Sequence, residues 1–324
     1  MPTDEISILQ EIVKSVRGYR GVLRKRDIGM LSSFFNGQPD DLLAAKGEDA
    51  AVFKIADKTV AFAADGLMRE FVEANPQWAG YCSVLVNVND MLAVRARPKY
   101  AVNVISARND TILTRIVSGM NEACEKFNVR MVGGHLHPDA DSDSISVSMI
   151  GEVEDGCPLL SSTGQAGEKI IMITDCDGEF TESIPYSWDC TSKKSASELD
   201  AMVRKLLAAL KNFSAGKDIS NPGLLGTLAM LLESSGIGGD VDVGEIAQPS
   251  GTNLVQWLTS YHGMGFIGTA PQSNVGKIAD LLSGSSLSMA VIGETIFEKK
   301  LVLRMGNAQS TLYDLSKEKI TGLF

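Results

Sequence analysis

No Cys-x-x-C pair occurs in this chain, and its five cysteines (Cys82, Cys124, Cys157, Cys176 and Cys190) have no partners at zinc-site spacing. They read as reduced thiols, which excludes a disulfide-stapled scaffold. Basic charge is scarce: 30 Lys and Arg stand against 40 Asp and Glu, a formal net charge of −10. A sequence-independent nucleic-acid binder needs a basic surface to displace counterions from phosphates, so no nucleic-acid partner is expected. Nucleotides remain compatible, because Mg²⁺ carried with the phosphates lets acidic side chains face an anionic ligand. Long apolar runs are missing as well. Polar or charged residues interrupt every apolar stretch short of the ~18 residues a membrane span requires, and residues 1–26 lack a signal-peptide core. The expectation is a cytoplasmic protein with no membrane partner. There is no low-complexity tract, and 44% hydrophobic with 22% charged residues is the composition of a chain that buries a core. At 324 residues it exceeds one ordinary core and suits two domains of roughly 150 residues.

Residues 4–17 carry an amphipathic helix signal, which Gly18-Tyr19-Arg20-Gly21 ends, opening a basic loop, Arg24-Lys25-Arg26. Two apolar runs, 50–55 and 59–64, flank Ala56-Asp57-Lys58 and read as a hairpin, with Asp65 just past the second strand. Asn75-Pro76 is an N-cap followed by proline at the first helical position, starting a helix that runs to about Val94, before Pro98. A strand over 100–106, a helix over 110–128, a short strand over 129–132 leading into Gly133-Gly134, and a strand over 144–151 follow. The order is β-β-α-β-α-β-β, an α+β domain with helices laid on one sheet. The Gly-, Pro- and Ser-rich stretch 154–167 divides the chain into 1–155 and 156–324. A second α/β half begins with a strand over 169–174, then a helix behind the Ser195/Glu198 capping box. Asn221-Pro222 caps a further helix that Gly236 ends. Strands over 241–246, 264–270, 287–293 and 301–305, with helices near 252–261 and 274–282, complete it.

Asp90 is the most informative residue, because its helix otherwise reads as core: Val84, Leu85, Val86, Val88, Met91, Leu92 and Val94. A carboxylate there is expensive unless a cation or several hydrogen bonds compensate it, and Asn87 adds a second polar group one turn earlier. A metal accounts for both; a narrow solvent stripe with Asn89 is the plainer account. Asp49 precedes the first strand of the hairpin and Asp65 follows the second, so the fold brings them together. Oxygen ligands from two strand ends and a helix suit a Mg²⁺ that retains water and phosphate oxygens. Taken alone, both are ordinary turn acids beside glycine.

Gly47-Glu48-Asp49-Ala50-Ala51, Ala64-Asp65-Gly66, Asn87-Val88-Asn89-Asp90-Met91 with Ala96-Arg97-Pro98, and Gly133-Gly134 occur in an order that resembles the AIR synthase-like superfamily. That superfamily includes AIR synthase, thiamine-monophosphate kinase, selenophosphate synthetase and the hydrogenase-maturation dehydratase. Gly167-Glu168-Lys169-Ile170 and Asp218-Ile219-Ser220-Asn221-Pro222-Gly223 continue the resemblance through the second half, with AIR-synthase-related proteins such as methanogenesis marker protein 2 the most similar group. It implies an α+β N-terminal sheet domain that dimerises and a C-terminal α/β sandwich domain. It also implies ATP bound with Mg²⁺, a small-molecule substrate between the domains, and phosphoryl transfer, in some members to an amide or carbamoyl group. Carried over by position, Asp49, Asp65 and Asp90 are metal ligands, Gly133 and Gly134 admit the phosphates to close backbone approach, and Lys25 covers them as a mobile cation. His135, counted with the nucleotide site, stands where a further metal-binding Asp is usual, and Asn221 where the Ser-Asp-Gly acid is expected. Two anionic ligands are therefore missing.

Two other readings compete. The missing ligands permit a non-catalytic nucleotide-binding assembly or maturation factor. His135-Leu136-His137 followed by Asp139, Asp141 and Asp143 resembles transition-metal ligation, since both imidazoles of a strand would face one side, and points to a metal-dependent hydrolase. Pro138 breaks that strand, however, and His262 is the only other histidine. His262, in Tyr261-His262-Gly263, faces the substrate cleft or caps a helix end.

Overall fold

The computed structural model describes residues 5–35, 39–261 and 263–324; Asp4, at the start of the expected first helix, and His262 lie outside them. The first half contains helices α1 (Glu5–Gly18), α2 (Arg20–Leu23), α3 (Arg69–Ala74), α4 (Pro76–Ala93) and α5 (Asp110–Lys126). Its strands are β1 (Leu42–Ala44), β2 (Ala51–Ile55), β3 (Lys58–Gly66), β4 (Ala96–Ser106), β5 (Arg130–His137) and β6 (Ser144–Val153). They form one sheet in the order β1-β2-β3-β6-β4-β5, in which only β4 and β5 pair in parallel, across the α5 crossover.

The second half contains β7 (Lys169–Asp175), β8 (Glu179–Thr181), β9 (Ile184–Asp189), α6 (Ala196–Leu210), β10 (Ala215–Asp218), α7 (Gly223–Ser235) and β11 (Gly238–Asp242). It ends with α8 (Leu254–Leu258), β12 (Gly265–Ala270), α9 (Gln272–Leu282), β13 (Leu287–Ile296), β14 (Lys300–Met305) and β15 (Ala308–Asp314). Seven of these strands make a mixed sheet, β10-β12-β7-β13-β11-β14-β15, while β8 and β9 pair apart. The chain thus forms two domains of mixed helix and strand. α1 differs from the 1–155 division: it packs on β14 and β15 of the second sheet, burying Leu9, Ile12 and Val16, and Arg17 donates to the Leu312 carbonyl and pairs with Glu318.

α4 explains its own composition. One face lies on β3, β4 and β6, another on α5, and its C-terminal half meets β10 of the second domain. From Trp78 to Ala93 every residue is buried except Val86 and Asp90. Asn75 accepts from the Trp78 amide, capping the helix as read from Asn-Pro. The crossing with α5 is close enough that a side chain at Gly80 would strike the Ile116 carbonyl. Among the described residues no helix covers the other face of the first sheet: Phe62, Tyr100, Val102, Val104 and Val132 are exposed there.

Candidate functional site

The β2–β3 hairpin sets the Asp49 loop beside the end of β3, where Asp65 sits. α4 crosses the same sheet and presents Asn89 and Asp90, while β10 brings Lys217 and Asp218 from the second domain. These residues line one cavity of about 430 Å³ between the domains, together with Arg24, Lys25, Glu48, Ser220, Asn221 and Tyr261. Lys25 belongs to a 3₁₀ segment, Arg24–Phe35, where the sequence reading expected an open loop. Val86 and Asp90, the two residues between Trp78 and Ala93 that break the burial of α4, both face this space.

One carboxylate oxygen from each of Asp49, Asp90 and Asp218 lies within 4.8 Å of the others. The Lys217 ammonium sits among them, bonded to Asp49 Oδ1 and, at 3.1 Å, to the Gly47 carbonyl. The other Asp49 oxygen accepts from the Asp218 amide at 3.3 Å. Gly47 adopts a φ of 78°, and a Cβ there would meet the Phe324 ring, so this loop requires glycine. Glu48 accepts from the Ser161 amide and the Ser162 hydroxyl, tying the loop to the interdomain segment.

The electrostatics follow from burial of like charges. Desolvation pushes the Asp90 carboxyl well above the usual carboxylate range, and Asp218, Asp49 and Asp65 push it further. Asp218 is raised well above that range by desolvation and by Asp49, against the pull of Lys217. Burial opposes the charge on Lys217, but Asp49, Glu48 and Asp218 outweigh it and hold its ammonium above the ordinary lysine value. Lys25 is lowered, because desolvation exceeds the attraction of Asp65 and the other acids. Among the described residues, Asp218 Oδ1, Asn89 Oδ1 and Asn221 Oδ1, all from side chains lining the cavity, are buried without a hydrogen-bond partner, an expensive condition.

Of the residues singled out in the sequence, Lys25, Asp49, Asp65 and Asp90 come together; Gly133, Gly134 and His135 do not join them. The glycines lie inside β5, an edge strand, rather than in a loop after it, and border a separate groove with Asn103, Leu113 and Val117. Gly134 has a structural cause: a Cβ there would strike Asn103 on β4. His135 and His137 both extend from β5 with ring centroids 4.6 Å apart, so the strand continues to Pro138. Among the described residues, no third His, Cys, Asp or Glu joins them in a ligand group. Asn87 points away from the cavity, donating to the Ser83 carbonyl, and Asn89 takes the place expected for it. Asn221 does not cap α7; its amide donates to the Tyr261 hydroxyl at 2.7 Å and it lines the cavity. Lys217 and Asp218 received no role from the sequence. Asp218 carried a signal, as the first residue of the Asp218–Gly223 segment that resembles the family's; Lys217 carried none, since the burial of its strand at all four positions is visible only in the structure.

The two domains have the AIR synthase fold. Residues 47–153 match the N-terminal domain of AIR synthase related proteins and residues 169–306 their C-terminal domain, and the chain belongs to this family. An uncharacterized protein of Methanocaldococcus jannaschii is 38% identical over 97% of this chain and 99% of its own length. A thiamine-monophosphate kinase of Buchnera aphidicola is 26% identical over 69% of this chain and 74% of its own. Among solved structures, T. maritima PurL complexed with FGAR superposes with a TM-score of 0.78 at 15% identity, covering 98% of this chain and 56% of that one. AaThiL complexed with AMPPCP and TMP superposes with a TM-score of 0.63 at 17% identity, covering 88% and 94%. The chain spans about half the length of the PurL chains. Among the described residues, no helix is long and apolar enough to cross a membrane.

Proposed function

We propose that this protein binds ATP with Mg²⁺ in the interdomain cavity and transfers the terminal phosphoryl group to a small molecule or to an amide or carbamoyl oxygen. The observation that carries this reading is the convergence of Asp49, Asp90 and Asp218 within 4.8 Å in a cavity that also holds Lys25. Carboxylate oxygens are the ligands Mg²⁺ takes, and the unpartnered Asp218 Oδ1 fits a donor set built for a cation. The names of relatives support nucleotide chemistry: one is a thiamine-monophosphate kinase, and PurL structures carry ADP or ATP.

Bound Mg²⁺ would supply charge neutralisation for the transferring phosphoryl group. Asp90 and Asp218 would hold it, with Asp49 orienting the loop and Asp65 reaching from the side. Lys25 and Arg24, on the segment beside Asp65, would meet phosphate oxygens. Tyr261 and Asn221 form the wall where an acceptor would lie, and Asn221 supplies no carboxylate to accept a proton from it. That single feature favours the second reading, a nucleotide-binding assembly or maturation factor without turnover. The exposed face formed by Phe62, Tyr100, Val102, Val104 and Val132 is the surface through which two copies would pair as a homodimer. In this reading Gly133, Gly134 and His135 meet nucleotide only through such pairing.

Thermal melting with ATP, ADP and AMP, each with and without Mg²⁺, tests the proposal. Mg-ATP at millimolar concentration is expected to raise the midpoint and EDTA to abolish the rise; no shift with any nucleotide refutes it. Phosphate release by the isolated protein separates the enzyme from the assembly factor.

A further inference from the structure

Four aspartates, Asp49, Asp65, Asp90 and Asp218, line one cavity, and their combined charge could balance two divalent ions. The lining also contains Lys217, whose side chain is 2% exposed and whose ammonium is bonded to Asp49 and to the Gly47 carbonyl. A lysine this deeply buried is rare, and the cost of stripping its water is met by the carboxylates around it. Both oxygens of Asp49 are thereby engaged, one by Lys217 and the other by the Asp218 amide. Asp218 is different: it is 4% exposed and its Oδ1 has no partner among the described residues. Asp90, across the cluster, is the third carboxylate of the group. The cluster therefore divides into a half already neutralised by a side chain of the protein and a half still open.

We propose that Lys217 is a built-in cation that takes the place of one divalent ion, so that this cavity is a one-ion site with Asp90 and Asp218 as its ligands. The inference rests on reading the cavity as a metal site, and it makes Lys217 a specificity-determining residue for ion stoichiometry. A fixed ammonium has a further consequence. It stays in place when nucleotide and metal leave, so it keeps the Asp49 loop and β10, which belong to different domains, joined through an ion pair in the empty protein. A divalent ion at that position would release both on departure.

The test uses Mn²⁺ alone, titrated into the nucleotide-free full chain and counted by the electron paramagnetic resonance signal of the free ion. The wild type is expected to bind one Mn²⁺ per chain. Lys217→Gln keeps a donor for Gly47 and Asp49 but removes the charge, and is expected to bind two, the first at least tenfold more tightly than the wild type does. Lys217→Met should behave the same way if its packing is tolerated, and Lys217→Arg should return the count to one. Two ions, or none, on the wild type would overturn the inference. So would an unchanged count and affinity in a folded Lys217→Gln protein. If neither neutral variant folds, the wild-type and Lys217→Arg counts still decide. Nucleotide binding is scored separately: loss of the Mg-ATP melting shift defeats the phosphoryl-transfer proposal while leaving the ion count standing.

Discussion

Replacing Asp90 by Asn changes the charge of the cavity wall while preserving the shape of α4, and it should affect the apoprotein and the loaded protein in opposite directions. In the apoprotein no cation among the described residues is bonded to Asp90; Lys217 attracts it but is bonded to Asp49. Its oxygen lies within 4.8 Å of oxygens from Asp49 and Asp218. Two unit charges at that distance repel by roughly 3.5 kcal/mol or more at an effective dielectric of about 20. The carboxyl escapes part of this by holding its proton, as its raised pKa records. A neutral amide removes the remainder, so Asp90→Asn should stabilise the apoprotein by about 1–2 kcal/mol. The same substitution removes one of the two open ligands of the proposed ion, and Mg-ATP should bind at least tenfold more weakly, a loss of about 1.4 kcal/mol or more. Apo melting curves and titration calorimetry with Mg-ATP measure the two effects. An apoprotein stability unchanged within about 0.5 kcal/mol together with equal Mg-ATP affinity is what a solvent-stripe aspartate predicts. That pair of results would remove Asp90 from the site.

Metal binding should release protons. Asp90 and Asp218 both have raised folded-state values, so the stability they contribute is full at low pH and is lost as pH rises through those values. That loss begins just above the ordinary carboxylate range, so the apoprotein should melt lower at pH 8 than at about pH 5 on account of these groups, and saturating Mn²⁺ should narrow the difference. Calorimetric heats of Mn²⁺ binding that do not vary between buffers of different ionisation enthalpy would contradict this. Val104→Glu, on the open sheet face, should yield a monomer by light scattering where the wild type is a dimer, with little change in protomer stability. A wild-type monomer at micromolar concentration would refute that interface. Glu233, buried on α7, accepts from the Ile320 and Thr321 amides and the Thr321 hydroxyl, and so holds the chain end whose Thr321 and Leu323 line the cavity. Glu233→Ala should cost roughly 2–4 kcal/mol by thermal denaturation, and a loss under 1 kcal/mol would show that the chain end is held by other contacts.

The elements that declared themselves in the sequence are those where local chemistry and tertiary structure agree. Ser195 and Glu198 form both halves of their capping box, and the stripe Leu199, Met202, Val203, Leu206, Leu207 and Leu210 is buried as its spacing requires. α4 was readable for the opposite reason: with apolar residues on all sides, it had to be surrounded, and both domains surround it. Several strands gave no such signal. β15 reads Ala-Gln-Ser-Thr-Leu-Tyr-Asp and lies at a sheet edge, while β10 reads Ala-Gly-Lys-Asp and pairs only with β12. Their places depend on neighbours far away in the chain. Asn221-Pro222 misled because a local rule for helix starts was sufficient by itself, whereas Tyr261, 40 residues on, supplies the actual partner.

The same division governs the site. Asp49, Asp65 and Asp90 stand out in sequence because each interrupts or bounds an apolar element, and all three belong to the first domain. Lys217 and Asp218 belong to the second, and nothing around them in sequence says that their strand will be driven against α4. Burial is what gives these two residues their chemistry. On an exposed strand a Lys-Asp pair is a solvated contact worth little; enclosed beside Asp49 and Asp90, the lysine neutralises one carboxylate and leaves the next without a partner. The charge balance of the cavity is therefore a property of the interface between domains. Substitutions that loosen the packing of α4 on β10, even ones that touch no charged residue, should weaken metal binding by admitting water to the cluster. A cavity-forming change such as Leu85→Ala, one turn before Asn89 on the side of α4 whose Asn89 amide donates to the Gly263 carbonyl of the second domain, tests this. It should cost about 2–5 kcal/mol of stability, and if Mn²⁺ affinity nevertheless stays at the wild-type value, the cluster is held rigidly by its own bonds and the interface is not what sets it.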